Sequence, residues 1–588
     1  MSVARRALFG ATTGWFSRRR TIRLDFLVLL ASAILAGTSP ANAESQRDQT
    51  GAPGLPQSPA AKQGLNFSVG NRGLESLSFN GQSLLGSPQS GELRPWESVF
   101  RAALDALLFH TLSPVATLNK QTGTIDLVYG WGRVVCAYGK QGDRITMRIE
   151  VSNMAAKELD QLSLRLMELN FPRIPDGATL EAGIYGFGFK GRMGPFYRYH
   201  LVADPNFVVP IVRVDYGAGA LNFCSDDLEC SIGVPYSTNP LARTSYPFTI
   251  TCQGIKPGIT KTFNVSLRFG AGGSRVQDLS GDVLERYATK YPFQVNWRDH
   301  RPIGAIFLAS SGINIATNPR RWIMNSGKID ITNNEGKAGF RGALLKLADK
   351  SIKVLKDANA QGMITWDPEG EEFLDSCFYG DPRLTPVLAP EMEFKGDGEM
   401  AAIDEYFEKF RRAGLKVGVC LRPQQIMMID GKPAQGMADD QHAAQVLKDK
   451  LAYAKKRWSC TLFYIDSTVT VTRNSLSPDV FKAVADMYPD VLLIPEHESM
   501  RYFAYSAPFN SYVHHKVTST PAGARMVYPK AFSVIMAPDG DRPEDHDALV
   551  TAVRDGDILL FNGWYNNVGV TKIKKLYEEA TRGDIINP

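Results

Sequence analysis

The chain has 588 residues, 44% hydrophobic and 22% charged, with a formal net charge of +5; this accommodates two or three domains of ordinary globular composition. Of 66 Lys/Arg and 61 Asp/Glu, six arginines and one aspartate fall in residues 1–43, leaving 60 of each beyond them. A body so balanced excludes recognition of nucleic acid through a broad basic surface.

Residues 1–43 read as an export signal. Arginines, with Arg19-Arg20 in a loose twin-arginine context, precede the apolar run "FLVLLASAILAG". "TSPANA" follows, with Ala41 and Ala43 in the small-residue cleavage pattern. The apolar run is short for a membrane span, and no other long one occurs, so the expectation is an exported periplasmic or extracellular protein without an integral span in its mature chain. Residues 44–64, rich in Pro, Gly and Gln, read as a linker.

From Leu65 short alternating runs are broken by Gly-Asn and Asn-Gly, which are hairpin signals. Strand-like runs dominate as far as Arg268, so residues 65–290 are expected to form a large β-sandwich. Within them "GFGFKG" (186–191) spells GxGxxG but lacks the following helix of a dinucleotide site. The aromatic and basic segment 185–200 around it is instead a candidate loop at the site. The seven cysteines all follow residue 43. In an oxidising compartment Cys224–Cys230 or Cys230–Cys252 could pair, while Cys420 and Cys460 belong to a core.

From residue 298 to 588 strand-like and helix-like runs alternate. "IGAIFL", "GMITWD", "KVGVCLR", "TLFYID", "VLLIPE", "AFSVIMA" and "ILLFNGW" are the strand-like runs. "RYFAYSAPFNSY" reads as an aromatic-rich helix or loop, and a sixth unit is expected within 514–530. Eight such units indicate a (β/α)8 barrel, with an open doubly wound sheet as the alternative. The fold class is therefore α/β plus all-β, a TIM barrel preceded by a sandwich.

The C-terminal strand ends of such a barrel converge on a site. Asp367 and Glu369 end the second strand, Arg422 the third, Asp466 the fourth, Glu496, His497 and Glu498 the fifth, and Asn562 and Trp564 the eighth. Convergent carboxylates with aromatics suit glycoside hydrolysis, in which one carboxylate attacks and a protonated one donates to the leaving oxygen. Asp466, walled by Phe463 and Tyr464, is the candidate nucleophile. Glu496 is the candidate acid/base, raised by like-charge neighbours, with Glu498 as the alternative. Asp367, Glu369, Arg422, Tyr464, His497 and Trp564 are candidate substrate contacts. Each has a plainer reading: Asp466 could cap a helix, Glu496 could pair with Arg422, and Glu369, Glu371 and Glu372 could be a solvated loop. His514-His515 reads as a loop pair, and no metal or other cofactor is expected. GxSxG, Walker A and HExxH patterns are absent from the sequence.

The order of export signal, sandwich and barrel, with "YIDS" and "PEHES" at the fourth and fifth strand ends, resembles secreted retaining α-glycosidases of glycoside hydrolase families 97 and 101. More distantly it resembles the α-galactosidases and α-glucosidases of families 27, 31 and 36. The resemblance implies a nucleophile at Asp466 and, as in family 101, an acid/base at Glu496 or Glu498, acting on an oligo- or polysaccharide. A non-catalytic glycan-binding protein, or a polysaccharide lyase using a Tyr or His base, is the alternative.

Overall fold

The computed structural model describes residues 64–582 except 88–93, 103–109, 172–179, 183–199, 236–244, 311–312, 314, 326, 371–377, 383, 431, 437, 469–474, 511–518, 538–542 and 563–567. The export and linker segments, residues 185–199, Glu371, Glu372, Cys377, His514, His515 and Trp564 therefore lie outside the described residues. No helix among the described residues is long and apolar enough to cross a membrane.

The N-terminal part packs a six-stranded antiparallel sheet against an eight-stranded one, with a small three-stranded sheet over residues 65–83. Arg144–Asn153 shows why: burial alternates almost residue by residue, and Ile145, Met147, Ile149 and Val151 enter one core shared by both large sheets. The expected strand character ends before residue 290. Helix α1 (Val276–Lys290) closes this region and packs on the outer face of the eight-stranded sheet. There Ser280 accepts from Asn222 Nδ2 at 2.9 Å, and the buried Arg268 guanidinium ties Asp226 at 2.6 Å to Asp282.

The C-terminal part is a barrel of eight parallel strands. These are β1 (Ile303–Phe307), β2 (Gly362–Trp366), β3 (Lys416–Leu421), β4 (Leu462–Ile465), β5 (Leu492–Pro495), β6 (Phe509–Asn510), β7 (Val534–Met536) and β8 (Ile558–Phe561). Ladders run β5-β4-β3-β2-β1-β8-β7-β6. At the β5–β6 seam Ala507 N–H donates to the Leu493 carbonyl at 2.9 Å. The sixth strand is thus Phe509–Asn510, inside the segment read as an aromatic-rich helix or loop and ahead of the expected 514–530. Helices α2 (Asn334–Asp357), α3 (Ala402–Arg412), α4 (Asp440–Trp458), α5 (Pro478–Met487), α6 (Ala522–Val527), α7 (Pro543–Arg554) and α8 (Val568–Arg582) complete the units. Their starts follow capping chemistry: Asn333 accepts from Gly336 N–H at 2.8 Å, and Asp439 from His442 N–H at 2.9 Å.

Helices cover the outside of the strands and side chains fill the inside, so β3 to β5 are almost wholly buried. Alternate residues fill the interior, among them Ile303, Ala305, Ile364, Cys420, Leu462, Tyr464, Leu492, Ile494, Val534 and Leu560. Gly418 holds an inner position where a Cβ would meet the Leu462 carbonyl oxygen at 2.0 Å.

Candidate active site

Strand register fixes the site. Phe307 pairs with Trp366 across β1–β2, Cys420 with Tyr464 across β3–β4, and Tyr464 with Ile494 across β4–β5. Two residues further on, the same pleat brings Arg422, Asp466 and Glu496 to one level on three adjacent strands. The ladders extend to that level: Asp466 N–H donates to the Leu421 carbonyl and Glu496 N–H to the Ile465 carbonyl, each at 2.9 Å. Below them an aromatic floor crosses the barrel mouth. Ring centroids are 4.9 Å apart for Phe307–Trp366, 5.0 Å for Trp366–Tyr464 and 5.2 Å for Tyr464–Phe509. Phe463, expected to wall Asp466, does not: the odd pleat turns it outward into the helix-facing core.

Arg422 pairs with Asp466. Its Nε and Nη2 reach Asp466 Oδ2 at 2.6 Å and 2.5 Å, and both side chains are largely shielded, 12% and 18% exposed. Glu496 accepts from Ser467 N–H at 2.7 Å. Crowding by surrounding protein, then the Asp466 charge and a hydrogen bond to the Asp466 carboxyl, push the Glu496 carboxyl up to about 8. The Ser467 N–H and Arg422 oppose this only in part. The direction is the one acid/base chemistry needs, a carboxyl favoured in its protonated form beside one held by a guanidinium.

The backbone around the pair is unusual. Asp367 and Ser467, one and two residues past the β2 and β4 ends, take the left-handed conformation with φ of 58° and 55°. Such geometry costs roughly 1–2 kcal/mol outside glycine and gathers at functional sites. At Ser467 it aims the N–H at Glu496. His497 is half-exposed beside Glu496. Its Nδ1 lies 2.9 Å from Thr468 Oγ1, which also accepts His497 N–H at 3.2 Å. Protein crowded around the ring lowers the imidazole below its ordinary value, against the pull of Asp466.

Two further candidate glutamates are buried and half-buried. Glu369 is 1% exposed and accepts from Tyr379 N–H at 3.0 Å. Burial raises its carboxyl to about 8, against that N–H and the charges of Lys450 and Arg457. It is a buried carboxyl and not a wall of the cleft or part of a solvated loop. Glu498 sits half-buried ahead of the turn at Met500–Ala504; of the two glutamates, Glu496 is the one in register with Asp466. Sequence reasoning passed over Ser467, Gln424 and Thr468, although "RPQQ" and "DST" stand beside residues it chose. Gln424 Nε2 donates to the Ser467 carbonyl at 3.1 Å.

No protein-family profile matches the chain, and no curated protein matches it in sequence. Solved structures do match. The α-N-acetylgalactosaminidase NagBb from Bifidobacterium bifidum, in complex with GalNAc, is 10% identical with a TM-score of 0.52, over 88% of this chain and 92% of that one. The family 36 α-galactosidase AgaA from Geobacillus stearothermophilus is 11% identical, with a TM-score of 0.40 over 87% and 78%. The cycloalternan-forming enzyme from Listeria monocytogenes is 9% identical, with a TM-score of 0.42 over 86% and 57%. The described chain thus has, along nearly its whole length, the sandwich-and-barrel fold found in the Bifidobacterium α-N-acetylgalactosaminidase.

Proposed function

We propose that this protein is a glycoside hydrolase acting on an oligo- or polysaccharide, of the retaining type, and exported by its N-terminal 43 residues. The observation that carries the reading is the Asp466–Glu496 pair: Asp466 is held by Arg422 and Glu496 by the Ser467 N–H, on adjacent strand ends above an aromatic floor at the barrel mouth. Similarity of fold to an α-N-acetylgalactosaminidase supports an α-linked substrate.

In retaining enzymes the two carboxyls stand about 5–5.5 Å apart, flanking the scissile bond. Here they end adjacent strands at one level, Glu496 accepting from the amide that follows Asp466 at 2.7 Å. A glycosidic oxygen entering between them would take over the Glu496 proton from Asp466. That releases an Asp466 oxygen for attack on the anomeric carbon while Glu496 protonates the departing oxygen. Once deprotonated, Glu496 would draw a proton from water, which then cleaves the glycosyl–Asp466 ester. Arg422 holds the Asp466 charge in place throughout.

The test is a screen of the full chain against aryl α- and β-glycosides and a glycan library, with the first-formed anomer read by proton NMR. Hydrolysis of an α-glycoside with retention is expected. A first-formed product of inverted configuration overturns the retaining mechanism, and an unsaturated, ultraviolet-absorbing product would reassign the site to elimination, with His497 as its base.

A further inference from the structure

Lys450 on α4 is buried, 5% exposed, behind the site. Its Nζ donates to the Arg422 carbonyl at 2.6 Å and to the Gln424 carbonyl at 3.0 Å. From these two residues the network divides. The Arg422 side chain holds Asp466 Oδ2. Gln424 Nε2 holds the Ser467 carbonyl, and Ser467 N–H holds Glu496 Oε2. One ammonium group therefore stands behind both carboxyls. Its seat is tight: a Cβ on Gly380 would lie 3.0 Å from Lys450 Cα. Burying an ammonium is costly unless its donors are used, and here they are used on the two carbonyls of the loop after β3.

We infer that Lys450 is a positioning residue that sets the relative placement of Asp466 and Glu496 through the loop after β3. This deepens the hydrolase reading and rests on it. Lys450→Met leaves two carbonyls without their donor and frees the loop, and a misplacement of about 1 Å at reacting groups costs about 10²-fold in rate. The experiment compares wild type, Lys450→Met, Lys450→Arg and Asp466→Asn on the best aryl glycoside. Expected is a fall in kcat of about 10²-fold in Lys450→Met, with KM within about twofold, and partial recovery in Lys450→Arg, whose donors can reach the same carbonyls. Wild-type kcat in a folded Lys450→Met overturns the inference while leaving the hydrolase reading intact. Full activity in Asp466→Asn overturns the hydrolase reading, and the inference with it. Should Lys450→Met not fold, Gln424→Leu cuts one arm of the network alone: a lowered kcat at unchanged KM sustains the inference, and an unchanged kcat overturns it.

An independent observation concerns the cysteines. Ser231, Ile232 and Gly233 pair antiparallel with Thr251, Ile250 and Thr249, so the next step in that register sets Cys230 opposite Cys252. Both are buried thiols, 1% and 2% exposed, facing the sandwich core. Cys224 is unsuited as a partner, because its Sγ faces Ser280 of α1 at 3.2 Å on the other side of its sheet. Opposed residues of an antiparallel pair have Cα atoms roughly 4.5–5.5 Å apart, inside the range of about 4.4–6.8 Å that a disulfide spans. The geometry points to a Cys230–Cys252 disulfide formed during oxidative folding. The two thiols are oxidised by a small-molecule disulfide, whose sulfurs leave as two thiols carrying both protons. Full-length chain refolded with oxidised and reduced glutathione, then denatured, alkylated and peptide-mapped, should give one linked peptide joining Cys230 to Cys252. Alkylation of both residues, or a link from Cys230 to another cysteine, overturns the assignment.

Discussion

Replacing Asp466 with Asn should change the protonation of a residue it does not alter. Glu496 stands at about 8 because protein crowds it and because Asp466 presents a negative charge and a hydrogen-bond acceptor. The amide removes the charge and can turn an N–H toward Glu496, favouring its ionised form. It also leaves Arg422 without the Asp466 charge, so the guanidinium acts more strongly on Glu496. Two unit charges about 4 Å apart at a protein surface interact by roughly 4 kcal/mol before screening, and neighbouring charges of this kind move carboxyls by roughly 1–3 pH units. The Glu496 midpoint should therefore fall from about 8 to roughly 5–7. The assay is infrared difference titration of the protonated-carboxyl C=O band, with Glu496→Gln to assign it. A midpoint unmoved in Asp466→Asn would refute the claim that Asp466 helps hold the proton on Glu496, and would leave crowding as the whole cause.

Other outcomes follow from the same geometry. Glu369 and Glu496, each raised from an ordinary 4.5 to about 8, stay protonated in the fold while the unfolded chain ionises. Stability should therefore decline as pH rises from about 4.5 to about 8, by up to roughly 1.4 kcal/mol per pH unit for each group; Glu369→Gln should flatten that decline in thermal unfolding measured across the window. Gly418→Ala forces a Cβ onto the Leu462 carbonyl oxygen, and should cost roughly 1–3 kcal/mol by denaturant titration. Trp366→Ala opens the centre of the aromatic floor, and should raise KM for a glycoside more than it lowers kcat.

How far the sequence could be read depended on the length of each signal. The barrel was legible because its strands end on polar residues and its helices are long; Asp440–Trp458 and Asn334–Asp357 could hardly be anything else. Strand β6 was not, because two residues, Phe509–Asn510, carry no periodicity. The helix at Val276–Lys290 was absorbed into the sandwich because Ser280 interrupts it with a non-helical conformation. Within the site, Asp466 and Glu496 were found as polar interruptions of buried strands, and their shared level follows from the period of two. The choice of Arg422 for Asp466, the burial of Glu369 and the reach of Lys450 depend on side-chain direction and on loops between strands, which local pattern does not encode.

The most direct test of the central claim is the fate of Asp466 itself. On any glycoside that the wild-type chain hydrolyses, Asp466→Asn should lose activity by several orders of magnitude while its unfolding temperature stays near that of wild type. Asp466→Gly supplied with azide should then regain turnover and release a glycosyl azide of inverted configuration. Full hydrolysis by Asp466→Asn would contradict the account.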